Sequence, residues 1–142
     1  MGNYYNFYAA TAGSGTSTFV GEAPDSICPK GWRMVGNEGE INGKEEKSWI
    51  NLFSKYYGET HPVPYPGIED SNADTVVLLS SFTFLRSGNY DWNDGGLYDR
   101  AGAGLYWSIL AYASPYAHSL AFVPTWLNYQ NGYYKGYGFS LR

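Results

Sequence analysis

The chain has 142 residues and a formal charge of −4, with aromatics at 19% and charged residues at only 15%. That length suits a single domain over 1–142 with one core, and the acidic balance excludes the basic stripe on which phosphate-tracking nucleic-acid binding depends. So high an aromatic share excludes disorder, and no run reaches the roughly 18 apolar residues of a membrane span.

In chain order, Tyr4 to Thr11 (YYNFYAAT) is rich in strand formers and predicts a first strand. AGSGTST reads as a loop, and Ile27 to Met34 (ICPKGWRM) as a short strand or extended connection. Lys44 to Tyr57 (KEEKSWINLFSKYY) sets Trp49, Leu52, Phe53 and Tyr56 at helical spacing, with Glu45 and Glu46 placed to complement the helix dipole. A helix over 44–57, ended by Gly58, is therefore expected. His61 to Gly67 (HPVPYPG) holds three prolines in seven residues and reads as a loop. From Thr75 onward the pattern predicts strands in TVVLL, FTFLRSG, GLYDR, LYWSILAY, AHSLAFV and YGFSLR, separated by Gly, Asn, Asp and Pro. One helix followed by many short strands gives an α+β fold with antiparallel sheets.

The C-terminal PTWLNYQNGYYKGYGF crowds Trp126, Tyr129, Tyr133, Tyr134, Tyr137 and Phe139 among Asn, Gln, Gly and Lys. From Trp126 to Tyr137 the aromatics fall at gaps of 3, 4, 1 and 3 residues, which does not match the period of two of a packed strand. An exposed loop is expected, with Trp126, Tyr129, Tyr133 and Tyr134 together on one open face. Tyr combined with Ser, Gly and Asn is the chemistry of antibody paratopes, where large rigid rings supply contact area and small polar groups adapt.

YNFYAAT, ICPKGWRM, an aromatic-containing helix, LYWSILAY, LAF and a terminal GYGFSLR occur in that order from Tyr4 to Arg142. This set resembles the Fibrobacter succinogenes major paralogous domain, whose corresponding pieces look like YNWYAAT, ICPKGWRLP, YYWSS and YGFSVR. GWRM is also similar to the GYRLP segment of formylglycine-generating-enzyme-like domains. The resemblance implies a C-type lectin-like fold with paired terminal strands and long irregular loops carrying a ligand site. It also includes variable proteins of diversity-generating retroelements, in which a reverse transcriptase rewrites adenines of selected codons, here within about 105–142. Rewriting an AAC codon yields Tyr, Ser, Asn, Asp, His, Gly, Pro, Thr, Leu, Val, Ala or Phe among others, the residues that crowd Ile109 to Tyr137.

On that resemblance Tyr106, Trp107, Ser108, Leu120, Phe122, Gly138, Phe139, Ser140 and Arg142 are scaffold. The displayed positions are Ile109, Ala111, Ser114, Ala117, His118, Ser119, Thr125, Trp126, Leu127, Tyr129, Asn131, Tyr133, Tyr134 and Tyr137, with Pro115, Ala121 and Pro124 between them. Trp126, Gln130 and Lys135 cannot arise from AAC by adenine change, so they require other codons or fixed positions. The implied function is recognition of a protein or glycan ligand by a secreted or cell-surface domain, attached to a membrane only through a segment absent from this chain. A carbohydrate-binding module using Trp92, Trp126 and tyrosines as stacking platforms is the alternative. Family members often carry a cysteine just beyond SVR, so Cys28 is expected to be a buried thiol or one whose partner lies past Arg142.

No catalytic, metal or cofactor site is expected. Trp92-Asn93-Asp94 matches the calcium-binding triplet of C-type lectins, but Ca²⁺ needs six to eight oxygen ligands and no EPN or QPD accompanies it. DWNDGG reads instead as a hairpin turn, since Asp-Gly is a strong turn signal. His61 and His118 have no HExxH context, and Cys28 in ICPKGW lacks the electropositive setting of a reactive thiolate. Glu45 and Glu46 read as a solvated helix face, and no G-x-S-x-G nucleophile elbow occurs.

Overall fold

The computed structural model describes residues 3–16, 18, 19, 21–32, 34–36, 40, 41, 44, 45 and 84–141. Its centre is an antiparallel sheet of β6 (Gly104–Trp107), β8 (Tyr116–Val123) and β9 (Trp126–Tyr134), in the order β6-β8-β9. LYWSILAY is expected to form strand, and it forms two: β6 ends at Trp107 and β7 (Leu110–Ala111) pairs with β1 (Gly21–Glu22). Between β6 and β7, Ser108 Oγ accepts from the Leu110 amide at 3.1 Å. β8 and β9 join through Pro124-Thr125, with Val123 paired to Trp126. Proline has no amide hydrogen to donate to a ladder, and this one stands where the ladder turns.

The sheet packs on both faces, so its central strand is apolar at successive positions. On one face Leu105 and Trp107 meet Phe7, Ala10, Ala117, Ala121 and Phe139 in the main core. The Trp107 ring stacks on Phe139 at 4.3 Å and meets Phe7 edge-on at 5.5 Å; such pairs add about 0.5–1.5 kcal/mol each beyond burial. Its indole N–H donates to the Tyr5 carbonyl at 2.8 Å, as a buried Trp requires. On the other face Phe84, Tyr106 and Phe122 form an aromatic layer, with Phe84 and Tyr106 edge-on at 5.1 Å. The Tyr106 hydroxyl donates to the Leu85 carbonyl at 2.8 Å.

The two ends of the chain close this arrangement. Tyr5 and Phe139 exchange backbone hydrogen bonds of 2.9 Å in both directions, Gly138 bridges Tyr90, and Ser140 bridges Tyr106. The YGFSLR segment thus ties the N-terminus to the sheet. The expected first strand is a correction: only Tyr5 makes a strand-like bridge, and Phe7–Ala10 is a helical turn, α1. Asn6 decides it, its Oδ1 accepting from the Ala9 amide at 2.9 Å as a favoured N-cap residue does.

The helix expected over 44–57 is also corrected at its start. Lys44–Glu45 (β3) pairs antiparallel with Glu40–Ile41 (β2), Ile41 facing Lys44. The two residues between them in the sequence are Asn-Gly, the dipeptide most favoured in two-residue hairpins, a signal in keeping with this pairing of Lys44 and Glu45. The rest of that segment, the 61–67 loop and TVVLL lie outside the described residues. Described residues of ICPKGWRM form turns, with Trp32 N–H donating to the Pro29 carbonyl at 2.8 Å. Residues 84–88 of FTFLRSG form no strand, whereas GLYDR contributes β5 (Leu97–Tyr98), paired with β4 (Asn89–Tyr90). The described residues are mainly antiparallel β with one short helix, and none of their helices is long and apolar enough to cross a membrane.

Candidate ligand-binding surface

The segment expected to be an exposed loop is a strand, and a bulge hides its period. Ser119 faces Asn131 and Ala121 faces Asn128, so Leu120 alone on β8 stands opposite both Tyr129 and Gln130 on β9. An extra residue on one strand reverses its side-chain alternation beyond the bulge. Trp126 and Tyr133, seven positions apart, consequently both pack against the main core. Tyr133 meets Phe139 edge-on at 4.9 Å, and burial pushes its hydroxyl pKa up.

The opposite side of the same hairpin carries a continuous aromatic row. Tyr134 stacks on Trp92 at 5.1 Å and meets Tyr116 edge-on at 6.1 Å; Tyr116 lies 6.2 Å from Tyr112, whose ring is 4.4 Å from His118. The register explains the grouping, since Tyr116 pairs with Tyr134 and His118 with Gly132. Glycine at 132 is what lets Tyr112 lie over the strand: a Cβ there would fall 2.4 Å from the Tyr112 hydroxyl oxygen. The approach at Gly136 is less strict: a Cβ there would sit 3.0 Å from the Trp92 indole, which would have to give by a few tenths of an ångström. Although these rings touch one another, Trp92 remains 48% exposed, Tyr112 44% and Tyr116 41%.

Beyond Trp92 the row runs into an open cleft of about 710 Å³ walled by Tyr4, Tyr5, Tyr90 and Trp92. Asn3 and Asn6 contribute amides, and Gly136 and Gly138 contribute backbone. No cationic side chain lines it among the described residues. Next to Gly136 in the chain, Lys135 is fully buried, its Nζ donating to the Thr16 and Phe19 carbonyls at 2.8 and 2.6 Å and standing 5.7 Å from the Phe7 ring centroid. Desolvation lowers its pKa.

Trp92 is presented by the turn read from DWNDGG, which closes the β4–β5 hairpin. Asp91 Oδ1 accepts from the Asn93 amide at 2.8 Å, Asp94 Oδ1 accepts from the Gly96 amide at 2.7 Å, and the Tyr98 hydroxyl donates to Asp94 Oδ2. The bond from Tyr98, then the one from Gly96, holds the Asp94 carboxyl below its ordinary pKa. Both carboxylates are engaged in shaping the turn that holds up Trp92.

No family model, curated protein or solved structure matches this chain.

The displayed set expected from sequence divides sharply. Trp92, His118 and Tyr134 belong to the aromatic row, and Ser114 and Thr125 are exposed in turns. Asn131 is half-buried, its carbonyl accepting from Ser119 Oγ at 3.1 Å. Ile109, Ala111, Ala117, Ser119 and Leu127 are buried, as is Ala121, which corrects their expected display. Ala117, Ser119, Ala121 and Leu127 are buried because the three-stranded sheet is covered on both faces, a condition that leaves no alternation to read, and Ile109 and Ala111 join the core from the segment leading into and forming β7. Trp126, Tyr133 and Tyr137 are half-buried against the core, so Trp126 and Tyr133 do not share an open face with Tyr134. Tyr129 lies in β9 with its side chain outside the described set. Sequence reasoning missed Tyr112 and Tyr116, and with them Tyr4, Tyr5 and Tyr90. The signal for the first two was present, as Tyr116 and His118 alternate on β8 and Tyr112 precedes the turn that leads into it. Cys28, expected to be buried, is half-buried beside the core and lines a separate cleft with Trp32.

Proposed function

We propose that this chain is a non-enzymatic recognition domain whose contact surface is the aromatic row Trp92, Tyr134, Tyr116, Tyr112 and the cleft beside it. The observation that carries the reading is the row itself: four large rings in unbroken contact, three of them more than two-fifths exposed. A contiguous exposed aromatic patch of this kind marks an interaction site, and Tyr and Trp are the side chains that dominate binding energy when desolvated. Binding proceeds chiefly by desolvation of the rings.

The finer reading is a C-type lectin-like domain of the Fibrobacter paralogous type, secreted or at the cell surface, with a retroelement-diversified segment over 105–142. The paired chain ends and the burial of Tyr106, Trp107, Leu120, Phe122 and Phe139 support a fixed frame under that segment. Lys135 is buried, and Trp126 packs on the core. Two of the residues unreachable from an AAC codon are therefore frame residues. A glycan ligand is the second reading, favoured by the flat, exposed Trp92 ring. Screening the immobilised domain against a glycan array and a random-peptide library tests the proposal. Saturable binding to members of either set is expected, and failure to bind anything in both would contradict it.

A further inference from the structure

Taking the aromatic cleft as part of the recognition surface, we infer that it receives an alkylammonium group carried by the ligand, held between the rings of Tyr4, Tyr5, Tyr90 and Trp92 and steered there by Asp91 and Asp94. The inference rests on the recognition reading above and narrows the ligand chemistry.

Three features lead to it. First, the walls are four aromatic residues around about 710 Å³, and a cation is drawn to the electron-rich face of Trp or Tyr within about 6 Å of a ring centroid. The cleft is large enough for a substituted ammonium with its attached chain, since ligand pockets span about 300–1,000 Å³. Second, charge is segregated. Asp91 lies between Tyr90 and Trp92 in the chain, where successive Cα atoms are about 3.8 Å apart. Its carboxylate does not line the cleft and accepts from the Asn93 amide, so any steering it gives is through the field at a distance, within the roughly 10 Å screening length. Asp94 follows two residues on, its carboxyl held ionised by the bonds from Tyr98 and Gly96. The neighbouring cleft, which shares Tyr4, is lined by Arg86 and Arg100, whereas the aromatic one has no cation among its described lining residues. Third, the polar groups that would hold a sugar are partly spent. Asn6 Oδ1 caps α1, Asn3 Nδ2 donates to the Tyr5 hydroxyl at 3.3 Å, and the Tyr4 hydroxyl donates to the Ser87 carbonyl. What remains open to a ligand is chiefly ring face.

Calorimetry or NMR titration of the whole chain with choline, trimethyl-lysine, lysine and 3,3-dimethylbutanol, the uncharged isostere of choline, tests this. The cationic probes are expected to bind at least about tenfold more tightly than the isostere. Trp92→Ala is expected to abolish the difference, and Asp91→Asn, which keeps the acceptor for the Asn93 amide, to reduce it several-fold. The ranking of choline and trimethyl-lysine against lysine tells a quaternary from a primary ammonium ligand. Equal binding of choline and its isostere, or no binding of any cationic probe by a chain with native circular dichroism, overturns the inference. Glycan or peptide binding that survives such a result would leave the recognition reading standing.

Discussion

The Tyr134 ring lies 5.1 Å from that of Trp92 and 20° from parallel, and the two meet over Gly136. The contact joins the β8–β9 hairpin to the β4–β5 turn, through residues 42 positions apart in sequence. A Cβ at position 136 would lie 3.0 Å from Trp92 and 3.1 Å from Tyr134, so both rings would have to give by a few tenths of an ångström to admit one. Gly136→Ala is expected to lower stability by roughly 0.5–1.5 kcal/mol, the worth of a stacked aromatic pair. In a Trp92→Ala background the same substitution should cost less, since only the Tyr134 ring remains to be displaced, and urea denaturation of the four proteins in a double-mutant cycle measures the difference.

Lys135 fastens the strand carrying Tyr134 to the loop around Thr16 and Phe19. A hydrogen bond from a charged donor contributes about 1.5–3 kcal/mol, and a buried carbonyl left without its donor is costly. Lys135→Met retains the buried stem and removes both bonds, so a loss of about 3 kcal/mol is expected from chemical denaturation.

Burial raises the Tyr133 hydroxyl above the ordinary tyrosine value of 10.0. As pH climbs past that value the unfolded chain releases this proton first, so the unfolded state binds fewer protons and stability falls. The contribution is fully present below pH 10.0 and is lost as pH rises through the folded value. The stability difference between the native chain and Tyr133→Phe should be level up to that pH and shift against the native chain above it. Denaturation midpoints across the alkaline range provide the check.

If a retroelement diversifies this gene, variation follows the faces of the sheet. Gene copies from related isolates are expected to differ at outward codons such as Tyr112, Tyr116, His118 and Tyr134. Trp107, Leu120, Phe122, Lys135 and Phe139 should stay fixed, because each is buried. Sequencing the neighbouring DNA for a near-copy of the 105–142 segment that differs only at adenines decides the matter.

The strand content of the C-terminal half was readable because Gly, Asn and Pro punctuate it, and the Asp91–Gly96 turn was readable from Asp-Gly. Tyr106, Trp107, Ser108, Leu120, Phe122, Phe139 and Ser140, expected on the resemblance to be scaffold, are all buried. Three things were hidden for physical reasons. A single bulge at Tyr129-Gln130 broke the alternation of β9 and made a strand resemble a loop. Packing on both faces buried Ala117, Ser119 and Leu127 where a one-sided sheet would have exposed some of them. The cleft of Tyr4, Tyr5, Tyr90 and Trp92 is assembled from segments brought together by the Tyr5–Phe139 and Tyr90–Gly138 bridges, a long-range closure that no local pattern announces.

The most direct test of recognition through the aromatic row is the affinity of alanine variants for any peptide or glycan selected on the native domain. Trp92→Ala, Tyr116→Ala and Tyr134→Ala should each weaken binding by about tenfold or more, as truncation of a ring at the centre of an interface does. Trp32→Ala, at a ring 77% exposed that lines a different cleft, should leave it unchanged. Binding that survives the first three substitutions, or is lost only with Trp32, would contradict the account.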